Sequence, residues 1–224
     1  MTLRSFAAIR ARAAARKGGE AALAALLPAM KSAAELAVVP DDRWLSMMSR
    51  CVFQAGFSWT VVEKKWPGTE DAFWGFSPAR CRAMSDEEFD GLLKDSRIIR
   101  NGAKVRSVQN NAALMMDLAA EHGAAGKVFA TWPADDYIGL LDLLKKRGDR
   151  LGGNAGMMFL RFMGRDGWVT SLDMVKALSA EGVIEGNHDS QKSRRAIQAA
   201  FSRWAAESGA PFAHISRVLA MSVD

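Results

Sequence analysis

Lys145-Lys146-Arg147-Gly148-Asp149-Arg150-Leu151-Gly152-Gly153-Asn154-Ala155-Gly156 runs into the apolar string Met157-Met158-Phe159-Leu160. Apolar residues recur at three and four on both sides of the glycines, which predicts two helices, over 134–146 and 155–163, joined by a short hairpin. Glycine lets a backbone approach a phosphate without Cβ interference. The helix that follows points its positive end at the same place. The lysines and arginines before the turn add Coulomb attraction to a sugar-phosphate chain.

The rest of the chain repeats that helical period and shows no clean two-residue alternation. Further helices are expected over 3–26, 41–57, 86–95, 104–122, 171–181, 189–208 and 211–222. Ser85 and Glu88 read as a capping box. Asp41 and Asp42 follow Pro40 and place negative charge at a helix start. Gly123, Gly148, Gly182 and Gly209 each close a periodic run. The reading is an all-α protein, with residues 1–26 a basic, alanine-rich helical arm (Arg4, Arg10, Arg12, Arg16, Lys17) and 27–224 a single domain.

The 224 residues carry a net charge of +5, which favours a polyanionic partner. No run of about 18 apolar residues predicts a membrane span. The basic start lacks the apolar block of a secretory signal, and helical spacing of Leu3, Phe6, Ile9 and Ala13 favours a cytoplasmic protein over a mitochondrial presequence. Cys51, Cys81, His122, His188 and His214 stand in no metal-ligand spacing. No metal and no cofactor is expected.

Two further segments carry candidate chemistry. Phe53-Gln54-Ala55-Gly56-Phe57-Ser58-Trp59 reads as a helix ending near Gly56 and presenting Phe57 and Trp59 at a turn, unless both rings belong to the core. Ile98-Ile99-Arg100-Asn101-Gly102-Ala103-Lys104, leading to Asn110-Asn111-Ala112, puts Arg100, Asn101 and Lys104 around a helix start, as an anion site or as an ordinary solvated turn.

Gln54-Ala55-Gly56-Phe57-Ser58-Trp59 resembles the QAG-x-SW motif of the DNA-3-methyladenine glycosylase I family. Ile98-Ile99-Arg100-Asn101 with Lys104 and Asn110-Asn111-Ala112 resembles that family's IIRNR-x-K…NNA block. Lys145 to Gly153 resembles its helix-hairpin-helix. The order and spacing agree over roughly residues 40–165. The resemblance implies the all-α helix-hairpin-helix glycosylase fold, two helical lobes around a cleft. It implies excision of a methylated adenine from double-stranded DNA by N-glycosidic hydrolysis, by a monomeric and monofunctional enzyme. The base pocket would hold Trp59, Phe57, Gln54, Cys51 and Phe53. The DNA backbone would meet Arg100, Asn101, Lys104, Gly148, Arg150, Gly152, Gly153 and Asn154.

The chain also departs from the family. The family's base-contacting glutamate lies eight residues before the motif tryptophan, where this chain has Cys51. The family's zinc-holding Cys…His and His…Cys pairs are absent, as is its tyrosine- and tryptophan-bearing start. In related glycosylases a catalytic aspartate opens the helix after the hairpin; Asp173 is the nearest match, with Ser171 the alternative by strict alignment. The competing reading of Ser171 and Asp173 is a helix cap and its first turn. Two other functions compete: a non-catalytic binder of damaged DNA, and a helical domain whose basic arm binds an acidic protein.

Overall fold

The computed structural model describes residues 3–224, so the first two residues of the expected arm lie outside it. Fourteen α-helices are found among the described residues. They are α1 (Phe6–Lys17), α2 (Glu20–Ala25), α3 (Ala33–Ala37), α4 (Asp41–Gln54), α5 (Trp59–Ala72), α6 (Pro78–Arg82), α7 (Asp86–Lys94), α8 (Gly102–His122), α9 (Ala125–Thr131), α10 (Tyr137–Arg147), α11 (Asn154–Met163), α12 (Leu172–Ala180), α13 (Gln191–Ser208) and α14 (Phe212–Met221). No strand occurs among the described residues, and no helix is long and apolar enough to cross a membrane. The chain divides into two compact units. One unit holds Ser32–Trp132 and Leu140–Met163; the other holds the chain up to Lys31, Pro133–Gly139 and Gly164–Asp224.

The unit built from Ser32–Trp132 and Leu140–Met163 has an aromatic centre. Trp44 of α4 lies 5.3 Å from Phe129 and 5.8 Å from Phe159, ring to ring. Asp41, expected only to favour the start of α4, also caps α9: its carboxylate accepts from Ala125 N at 3.3 Å and Gly126 N at 2.9 Å. The Ser85–Glu88 box forms as expected, with Glu88 N donating to Ser85 Oγ at 3.2 Å and Ser85 N to Glu88 Oε2 at 2.9 Å. Helix α5 escaped the sequence reading because Pro67 sits inside it. Proline removes a helical N–H and usually ends a helix, but here the buried Val62, Trp66, Thr69 and Ala72 hold the run together.

In the other unit, Trp168 packs against Tyr137 at 4.7 Å and Phe201 at 5.2 Å. The N-terminal segment expected as an arm is part of this core. Phe6, Ile9 and Ala13 are buried, and Glu181 accepts from Arg12 at 2.7 Å and pairs with Arg4 at 3.2 Å. The segment is two helices rather than one, because Gly18 and Gly19 both take positive φ (87° and 111°) and break it. The apolar stripe of this basic segment demands a partner surface, and the buried Phe6, Ile9 and Ala13 show that it has one.

Candidate active site

Helix α4 stops at Gln54, and Gly56 turns the chain at φ 74° before α5 opens at Trp59. Carbonyls at a helix end lack internal partners and favour a cation. Lys104 of α8 supplies it, its Nζ donating to Phe53 O at 2.9 Å and Ala55 O at 2.5 Å. The Phe57 ring lies over the same ammonium, 4.3 Å from centroid to Nζ. Asn101 sets the start of α8, its side chain accepting from Lys104 N at 3.1 Å. Lys104 is only 6% exposed. Burial, and then the charge of Arg150, lower its pKa from the ordinary lysine value. Lys104 therefore pins the turn from inside, where an exposed phosphate contact was expected, and Asn101 is a helix cap.

The hairpin between α10 and α11 is held by Asn111, which is fully buried. Its Nδ2 donates to Asp149 O at 3.0 Å and its Oδ1 accepts from Asp149 N at 2.8 Å. Asn110 adds a bond from Nδ2 to Asp149 Oδ2 at 2.7 Å. Two glycines allow the hairpin to close. A Cβ on Gly148 would meet Leu144 O and Leu151 Cδ1 at 2.6 Å, and one on Gly156 would strike Leu151 O. Arg150 takes a left-handed φ of 62°, uncommon for a side chain of its size.

The turn, the start of α8 and the hairpin meet around one open cavity of about 490 Å³. Val52 and Ala55 line it from α4 and the turn, Lys104 from α8, and Arg150, Gly152 and Asn154 from the hairpin. Among the described residues, Lys104 and Arg150 are its only charged lining residues.

The structure brings four of the expected DNA contacts, Lys104, Arg150, Gly152 and Asn154, to this one cavity. Gly153 is exposed beside them, Gly148 is half-buried under the hairpin, and Arg100 is exposed. The expected base pocket divides. Trp59 (48% exposed) and Phe57 (42%) stand in solvent, and Trp59 meets Phe162 of α11 edge-on at 5.9 Å. Phe53, Gln54 and Cys51 are buried instead. Phe53 packs against Trp66 at 6.2 Å and Phe73 at 6.3 Å, because it lies on the core face of α4. Gln54 donates from Nε2 to Glu63 at 2.8 Å, while its buried Oε1 has no partner among the described residues. The Cys51 thiol is pushed up to about 12 by burial, which leaves it neutral and no substitute for a carboxylate.

Ser171 caps α12, its Oγ accepting from Met174 N at 3.2 Å. Asp173 stands exposed in the first turn, 3.9 Å from Lys176. Asp166, read as a turn residue, caps α14 through Phe212 N at 3.1 Å and Ala213 N at 2.8 Å. The sequence reading missed the bracing role of Asn111, the cavity-lining Val52 and Ala55, and Phe162. Asn111 had a signal, an amide inside an apolar helical run that a packed core tolerates only when it is bonded. Phe162 had none, since it continues an apolar helix.

Residues 36–136 match the methyladenine glycosylase family model. DNA-3-methyladenine glycosylase 1 of Escherichia coli (strain K12) is 34% identical over 65 residues, 29% of this chain and 35% of that protein. DNA-3-methyladenine glycosylase of Haemophilus influenzae is 36% identical over 59 residues, 26% of this chain and 32% of that protein. The matched stretch thus spans about a third of the length of either curated relative. In three dimensions the chain is similar to 3-methyladenine DNA glycosylase I from Staphylococcus aureus, with a TM-score of 0.50 and 19% identity over 56% of this chain and 77% of that one. That likeness shows the all-α fold expected from the sequence. Over residues 36–136, somewhat under half of its length, the chain is similar to the methyladenine glycosylase family.

Proposed function

We propose that the protein is a monofunctional DNA glycosylase that hydrolyses the N-glycosidic bond of an alkylated purine in double-stranded DNA. The observation that carries this reading is the convergence of the QAG turn, the start of α8 and the braced hairpin on one basic cavity, with Trp59 and Phe57 exposed in the same unit. A base inside a duplex must leave the stack to be cut, at about a few kcal/mol. Stacking on a tryptophan face offsets about 1–3 kcal/mol of that. The hairpin glycines and Arg150 hold the sugar-phosphate chain beside the vacated position.

The bond breaks with its electron pair passing to the base. Water adds to the sugar carbon, and the proton that water loses ends on the departed base or in solvent. Asp173 takes no part in this reading; its exposed place in the first turn of α12 is that of a helix-start residue.

The test is abasic-site formation on a duplex bearing one alkylated purine, read on a gel after alkaline cleavage. The full chain produces the cut, and Trp59→Ala loses it with helicity unchanged. Excision unaltered in Trp59→Ala refutes the pocket assignment. A second reading, a binder of damaged DNA without catalysis, is favoured by the neutral Cys51 thiol where the resemblance places a glutamate. Retained lesion binding with no abasic product selects it.

A further inference from the structure

Phe162 near the end of α11 is left 41% exposed, although Phe159, Leu160 and Met163 beside it are buried. It meets the half-exposed Trp59 of α5 at 5.9 Å, with the two ring planes at 74°. Neither ring lines the open cavity at the turn. Large rings held at the surface forgo burial that would stabilise the fold, and neighbouring exposed apolar side chains mark a place where something else binds. The pair makes a corner. A flat ring laid on one member turns its edge to the other, so that a stacked and an edge-to-face contact form together, the two arrangements aromatic rings prefer.

The surroundings select the occupant. Asn154, Met158 and Phe162 stand four apart and share one side of α11. Asn154 opens that helix at the hairpin, and Phe162 follows about 12 Å further along its axis. Lys145, Lys146 and Arg150 beside the hairpin are exposed, and none is paired with a carboxylate among the described residues. Rings and unpaired cations on one rigid element match flat bases on an anionic backbone. An acidic peptide supplies the charge without the flat rings. A second copy of this chain, with a net charge of +5, brings like charge to the same surface.

We propose that Phe162 is a base-binding residue: it walls the site of the flipped base, nearly at a right angle to Trp59, so that the alkylated purine stacks on one ring with its edge against the other. This rests on the reading that a base leaves the duplex to be cut, and it adds a contact from the helix that carries the hairpin. The two ends of α11 then divide the nucleotide between them. The hairpin takes the backbone and Phe162 takes the base. Because the helix between them is rigid, a base still in the stack does not reach the corner while the hairpin holds its strand, and a base turned out of the duplex does. The contact is directional, so an aliphatic side chain at this position keeps apolar area and loses the edge-to-face geometry.

The experiment measures binding of the full chain, by fluorescence anisotropy, to three duplexes of one sequence. One carries 3-methyl-3-deazaadenine, which has the shape of a methylated adenine and a glycosidic bond that resists hydrolysis. One carries a tetrahydrofuran abasic site, and one is undamaged. The wild type holds the methylated duplex about tenfold tighter than the undamaged one. Phe162→Leu weakens the methylated duplex by about threefold to tenfold and leaves the other two unchanged. Phe162→Tyr, which keeps the ring, recovers most of that loss. A ring that only supports the fold would weaken all three duplexes in Phe162→Leu, and a ring that fills the vacated stack would weaken the abasic duplex as much as the methylated one; either result overturns the proposal. Trp59→Ala in the same series separates the two claims. Loss of the methylated-duplex preference in Trp59→Ala with none in Phe162→Leu overturns the wall and leaves the glycosylase reading standing. A wild type that does not distinguish the methylated duplex from the undamaged one overturns both.

Discussion

Asn111 connects two of the three segments that the sequence singled out. A buried amide that exchanges both its groups with the Asp149 backbone fixes the hairpin as a sheet neighbour would, with a donor and an acceptor in one plane. Removing it leaves a part-buried carbonyl and a part-buried N–H of Asp149 without partners, and each such group costs about 1–3 kcal/mol. Asn111→Ala is therefore expected to lower unfolding stability by about 2–4 kcal/mol and to weaken DNA binding through the hairpin. Asn110→Ala, which removes one exposed contact to the Asp149 carboxylate, stays within about 0.5 kcal/mol. Paired denaturant titrations check this, and equal losses in the two variants would refute the bracing role. At this scale residue types were more legible than their tasks. Lys104 and Asn101 were picked out as polar residues at a helix start, and they are, but one faces inward and the other caps. A motif specifies which groups are present, while burial decides what they bond, and burial is a property of the packed neighbours.

Helices with a strong apolar period were readable to within a few residues. The expected 155–163, 171–181 and 211–222 correspond to α11, α12 and α14. Short helices such as α3, α6 and α9 were not, since five to seven residues give too few turns to establish a period. The start of α12 is where an element-scale test decides a chemical question. Ser171→Ala removes the bond to Met174 N and is expected to cost about 1 kcal/mol. Asp173→Asn removes only charge near the helix start and costs about 0.3–1 kcal/mol. With Asp173 a helix-start residue, single-turnover excision by Asp173→Asn stays within about twofold of wild type, the change expected when no barrier-lowering contact is lost. A fall of a hundredfold or more at unchanged DNA affinity would restore the catalytic role that the resemblance implied for this position.

For the molecule as a whole, a net charge of +5 suggested a polyanion without saying where it binds. The pairing of charges locates the surface. In the N-terminal segment Arg10 is bonded to Glu20, Arg12 to Glu181 and Arg16 to Asp224, so this charge-rich stretch is largely neutralised within its own unit. Around the hairpin, Arg147 gives both terminal nitrogens to Glu121. No ion pair holds Arg100, Lys145, Lys146 or Arg150 among the described residues, and all four are exposed. Counting positive residues along the chain cannot separate these cases, because the neutralising carboxylates come from distant positions. Each phosphate neutralised by a protein cation releases counterions, so log affinity falls with log salt by about 0.9 per contact. Lys146→Ala is expected to weaken duplex binding uniformly across sequences and to reduce that slope by about one. Arg10→Ala and Arg16→Ala are expected to leave the slope unchanged, since those guanidiniums already have carboxylate partners. Anisotropy titrations between about 50 and 200 mM salt measure all three. A slope lowered by the N-terminal variants and untouched by Lys146→Ala would move the DNA surface to the other unit and take the hairpin out of the binding reaction.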